Sequence, residues 1–174
     1  MADGDSIDTP SHPKERLTVD DRTNAIGLFN YGHSYWASTS ALQVADVEAT
    51  HPDAPVNYLY FHSIELFLKA YLRATGMSVA DLKRLRHGMT ELTKEANKRG
   101  LELGEEDRNV LGHIQANYLP SRYIEIGPFQ RATYDALWGT CSWLFDRVGE
   151  EIIRLENVRR LPDRPPHPND MTAQ

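Results

Sequence analysis

The stretch VNYLYFHSIELFLKAYLRA, residues 56–74, constrains this chain more than any other. Phe61, Ile64, Phe67, Leu68, Tyr71 and Leu72 make most of a helical circumference apolar. His62, Glu65, Lys69 and Arg73 fall instead on one narrow line at i, i+3, i+7 and i+11. A helix apolar on nearly all sides belongs in the middle of a bundle. Its charged line must then meet water, a partner or a ligand, because a buried charge without a partner is strongly disfavoured. Gly76 supplies a left-handed terminator for this helix.

The rest of the chain reads as helices as well. A first helix is expected over Val19–Glu48, capped by Thr18, with Ile26, Phe29, His33, Trp36, Ser40 and Val44 on one face. The segment THPDAP ends it. Ser78 with Asp81 resembles a capping box and opens a short helix to Leu85. A further segment runs from His87 to Lys98, and another from Glu105 to Leu119, with Val110, Leu111, Ile114 and Tyr118 as its buried stripe. The longest helix is expected over Phe129–Val158, with Tyr134, Leu137, Cys141, Leu144, Val148, Ile152 and Leu155 on one face. Trp138, Trp143 and Phe145 lie off that stripe, which suggests a second contact such as a homodimer interface. Residues 1–18 and the Pro-rich residues 159–174 are expected to be disordered tails flanking one domain, 19–158. No strand alternation or internal repeat interrupts this pattern. The fold class is therefore all-α, an up-and-down bundle of about five helices with a long C-terminal one.

Composition narrows the classes of function. Of 174 residues, 19 are Lys or Arg and 25 are Asp or Glu, a formal net charge of −6. That balance argues against broad polyanion binding but leaves room for a small basic cleft on an acidic body. The single cysteine, Cys141, sits within an apolar stripe and is expected to be a core thiol in a reducing compartment. With no apolar run near ~20 residues, a cytoplasmic protein without a membrane partner is expected. His33, on an apolar stripe, reads as a hydrogen-bonded core histidine. His62 and Glu65 at i, i+3 lack a third and fourth ligand, so no metal is expected. No cofactor is expected either, since there is no glycine-rich phosphate loop and no G-x-S-x-G elbow. KRLRH (83–87), Lys94, Lys98 and Arg99 form a basic patch, either a solvated face or a surface for RNA.

Three segments in order carry a family resemblance. HSIELFLKAYLRATGM (62–77) resembles the second helix of HEPN-domain proteins. RHGMTEL (86–92) is similar to their short His-containing turn, and ANYLPSRY (116–123) to their Tyr–Arg–Tyr signature at a helix end. The resemblance covers most of residues 20–158 and implies a five-helix bundle that is usually dimeric. Some members are metal-independent ribonucleases, often toxins, with an Arg-x4-6-His motif. Others are binding modules beside a nucleotidyltransferase.

Two functional readings follow. In the first, the chain is a non-catalytic module that takes a nucleotide, RNA or another phosphate-bearing ligand between the second helix and the end of the fourth. Glu65, Lys69, Arg73, Arg122 and Tyr123 would line that cleft, with Glu65 orienting Lys69 and Tyr123 offering a stacking face. In the second, Arg108, Asn109 and His113 form the ribonuclease motif, His113 handling protons and Arg108 holding the scissile phosphate. Residues five apart on a helix point about 140° apart, so that pair needs a symmetric dimer to converge. Gln115 stands where toxin members commonly carry Tyr, and Gly112 loosens the helix before His113. A nucleotidyltransferase or antitoxin is the protein partner that the resemblance implies. A third reading is a purely structural protein.

Overall fold

In a computed structural model, which describes residues 22–117 and 132–171, the first helix begins where Asn24 intercepts it. The Asn24 side-chain oxygen accepts from the Gly27 N–H at 2.8 Å, and α1 runs over Ala25–Val44. It is shorter at both ends than Val19–Glu48, because Asn24 caps it and Ala45 turns the backbone to an extended conformation. Helix α2 spans Asp53–Ala74 and starts earlier than expected. Pro55 falls in its first turn, where a missing N–H costs no helical bond. Then come α3 (Val79–Leu85), α4 (Met89–Lys98), α5 (Glu105–Asn117), α6 (Tyr134–Glu156) and the single turn α7 (Pro168–Met171). Ser78 caps α3 by accepting from the Asp81 N–H, and Thr133 caps α6 by accepting from the Ala136 N–H. The described residues are helical with no strand, an all-α bundle.

Helix α2 holds the central place that its apolar circumference demands, packing on α1, α3, α4 and α6. Phe61, Ile64, Phe67, Leu68 and Leu72 are buried. Gly32 lets α1 approach closely: Ser63 donates its hydroxyl to the Gly32 carbonyl at 2.7 Å, and Phe67 lies against the glycine. Leu137, Cys141, Leu144, Val148 and Ile152 of α6 face the same core, as do Val110, Leu111 and Ile114 of α5. Leu155 does not; it is exposed.

The Pro-rich segment departs most from the sequence-based expectation. Residues 159–171 are not a detached tail but pack back on the bundle. Asn157 ends α6 in the left-handed conformation (φ 52°, ψ 35°), and the chain then lies beside α6. Leu161 touches the bundle at Gly149, Arg164 meets Ser142 and Asp146, and the His167 ring stands 4.6 Å from that of Trp138. Pro165 and Pro168 are buried. The segment thus covers Trp138 within the chain itself, while Ile153 and Leu155 of α6 stay exposed. Phe145 turns inward among Phe29, Trp36 and Phe67.

Candidate functional site

The charged line on α2 does not face bulk water at its centre. Glu65 is only 1% exposed, yet its carboxylate is met from three sides. Lys69 Nζ donates to Oε1 at 2.5 Å, and His87 Nδ1 lies 3.0 Å and 3.1 Å from the two oxygens. His62 Nδ1 stands 3.7 Å from Oε2, its ring set between Tyr35 and Tyr58. A carboxylate so deeply buried is tolerable only because cationic and hydrogen-bonding partners replace water. The same geometry offsets the charge of Lys69. Arg73, one turn further, turns away: Nε donates to the Thr23 carbonyl at 2.9 Å and Nη1 to the Met77 carbonyl at 2.5 Å. It ties the end of α2 to the chain before α1 and to the turn after it. Arg122 and Tyr123, the other two residues of the expected cleft, lie outside the described residues.

Positive charge gathers elsewhere. Between α4 and α5 lies a cleft of about 460 Å³, lined by Thr90, Thr93, Lys94, Asn97, Lys98 and Arg108, together with Leu111 and Gly112. Helical spacing explains the α4 side, since positions 90, 94, 97 and 98 share one face, opposite the buried Met89, Leu92 and Ala96. Arg108 Nη1 donates to the Leu103 carbonyl at 2.5 Å, which steadies the guanidinium. Its remaining N–H groups have no partner among the described residues, and neither does the Lys94 ammonium. Lys98 pairs with Glu95 at 2.6 Å, and this hydrogen bond holds the Glu95 carboxyl below its ordinary range. The buried hydroxyl of Thr93 also lacks a partner among the described residues. A phosphate oxygen is the kind of acceptor that would satisfy such a set of donors.

The structure separates the two halves of the Arg-x4-His string. Arg108 lines the cleft; His113 does not, being five residues further round α5. Asn109 is exposed next to Arg108 and also does not line it. Gln115 has a structural task, accepting from the Thr90 N–H at 3.1 Å and so capping the start of α4, which has no cap of its own. The basic patch splits in the same way: Lys94 and Lys98 face the cleft, while Arg99 donates to the Thr75 carbonyl at 3.0 Å.

Sequence reasoning paired neither His87 with Glu65 nor α4 with Arg108. The second pairing had a signal: the polar face of α4 and the polar side of α5 both adjoin buried stripes of one core. Cys141 is fully buried, its thiol pushed well above the ordinary range by burial and donating to Ser63 Oγ at 3.9 Å. Among the described residues no group of His, Cys, Asp and Glu is arranged to hold a metal ion, and no helix is long and apolar enough to cross a membrane. The chain matches no protein-family model, and no curated protein or solved structure matches it at a significant level.

Proposed function

We propose that this chain is a HEPN-type binding module that takes a phosphate-bearing ligand, a nucleotide or RNA, in the cleft between α4 and α5. One observation carries the reading: Lys94, Lys98 and Arg108 line a single cleft together with hydroxyl and amide side chains. Lys69 is a weaker anchor, since Glu65 already meets its charge at 2.5 Å. The HEPN assignment is supported by the meeting of two of the resembling segments, Glu65 of the first with His87 of the second. A homodimer and a nucleotidyltransferase or antitoxin partner belong to the proposal only through that resemblance.

Fluorescence anisotropy with a labelled RNA oligonucleotide tests it. Lys94→Ala and Arg108→Ala each remove a charge-assisted contact worth about 1.5–3 kcal/mol, so affinity falls about 10- to 100-fold. Arg84→Ala and Arg147→Ala remove the same charge from exposed pairs away from the cleft and leave affinity within about twofold. Equal losses in all four variants would contradict the assignment.

The cleft-facing guanidinium of Arg108 also favours a second reading, a metal-independent ribonuclease in which His113 comes from another copy. RNA cleavage in EDTA that disappears in both Arg108→Ala and His113→Ala selects that reading. Cleavage absent alongside binding selects the module.

A further inference from the structure

The Pro-rich segment after α6 is bound to its own bundle much as an extended peptide is bound to a receptor groove. Leu161 lies at Gly149, Arg164 at Asp146 and Ser142, and His167 at Trp138 and Asp135, so the segment runs antiparallel to α6. The lengths agree. Six extended residues span about 19 Å at ~3.1 Å each, and eleven helical residues about 16 Å at ~1.5 Å each. Pro165 and Pro168 are buried three residues apart while Pro166 between them is exposed, the period of a polyproline helix. On the other wall, His33 of α1 donates its Nε2–H to the Asp163 carbonyl at 2.8 Å.

Three features make this contact separable from the bundle. Among the described residues no backbone–backbone hydrogen bond joins residues 158–167 to helices α1–α6. Its charged anchor, Arg164 with Asp146 at 2.6 Å, is 43% and 47% exposed, so water can take the place of either partner as the segment lifts away. The chain enters it through Asn157, a left-handed terminator that ends α6 before the segment begins, so the segment can leave without unwinding α6. A second copy presents the same groove residues, His33, Trp138, Ser142, Asp146 and Gly149, identically.

We propose that residues 158–171 are an exchangeable strap: the α1–α6 groove accepts the same segment of a second copy of this chain, giving a strap-swapped dimer. The swapped and closed forms share the same groove contacts. Their balance is set by the high effective concentration of the tethered strap against protein concentration. Charge complementarity between Arg164 and Asp146 sets the register in both forms. The proposal is independent of what the α4–α5 cleft binds.

Charge reversal in trans tests it on the full chain. Arg164→Asp sets two acids against each other within one molecule, and Asp146→Arg sets two guanidinium groups. When the two variants are mixed, both pairs are restored only if the straps cross over. Light scattering then gives, for the equimolar mixture, twice the mass that either variant shows alone. The double variant that restores the pair in cis keeps the mass of the parent chain at the same concentration. A mixture that keeps the mass of its components overturns the proposal, and so does the same rise in mass with concentration in each variant alone. Should either reversal prevent folding, Arg164→Lys keeps the pair, and a carbodiimide then joins position 164 to Asp146. Covalent dimers that increase with protein concentration are the expected result. Exclusively intrachain links at every concentration overturn the proposal.

Discussion

His87 Nδ1 reaches the Glu65 carboxylate at 3.0 Å across twenty-two residues of sequence, joining the turn after α3 to the interior of α2. A residue whose side chain is 47% exposed thereby holds a carboxylate that is 1% exposed, with Lys69 on its other side. Buried charge is kept only where partners are this close.

Removing one member of this cluster is predicted to cost more than removing its polarity altogether. Lys69→Ala leaves Glu65 buried with its main counter-charge gone, a loss of about 3–5 kcal/mol in urea denaturation, at the lower end because Lys69 is partly exposed. The double replacement Glu65→Leu/Lys69→Met removes both charges and is predicted to recover most of that loss. A double variant no better than Lys69→Ala contradicts this account.

Gly32→Ala is predicted to destabilise the chain, although alanine favours a helix by about 0.5–1 kcal/mol. The added methyl would sit 3.1 Å from Phe67 Cδ1 and 3.3 Å from Leu66 Cβ. Phe67 is fully buried against Phe29, Trp36 and Phe145 and has nowhere to move. Overpacking of about 1–3 kcal/mol therefore prevails. A higher melting temperature in the variant contradicts this.

What was legible in the sequence was what periodicity encodes. The apolar circumference of α2 foretold its central place, and the stripes of α5 and α6 foretold Ile114, Cys141 and Val148 in the core. Helix ends were less legible, because Asn24 and Ala45 act through local backbone geometry rather than pattern. The Pro-rich segment was misread because prolines exclude a helix without excluding an extended segment packed on one. Its partners, Gly149, Asp146 and Trp138, lie on α6, and nothing local links them to Leu161, Arg164 and His167. Of the candidate site, the motif singled out Arg108, but the cleft that it lines depends on how α4 meets α5.

Alkaline stability follows from two buried acids. Burial raises the Cys141 thiol well above its ordinary 9.0, the Ser63 hydrogen bond opposing this only in part. Burial, then Cys141, Asp135 and Tyr134, raises the Tyr60 hydroxyl above its ordinary 10.0. Above about pH 9 the unfolded chain releases protons that the folded chain keeps, so their contribution is intact below that pH and lost as pH rises. Urea midpoints are predicted to fall from pH 9 to 11, with a shallower slope for Tyr60→Phe. Equal slopes in both proteins contradict the assignment. The Cys141 thiol is likewise predicted to react with Ellman's reagent only on unfolding.

Salt dependence counts the phosphates in the cleft. For a single-stranded RNA, each contact adds about 0.7 to the slope of log K against log salt. Arg108→Ala is predicted to lower that slope by about this amount, and Arg147→Ala to leave it unchanged. Identical slopes for Arg108→Ala and the parent chain contradict a phosphate contact there.

Backbone amide shifts recorded while a short RNA is titrated into the labelled chain test the central claim most directly. The account predicts that shifts concentrate at Thr90–Lys98 and Arg108–Gly112, lining both sides of the α4–α5 cleft. Shifts centred instead on His62, Glu65, Lys69 and His87, or no saturable shifts at any residue, would contradict it.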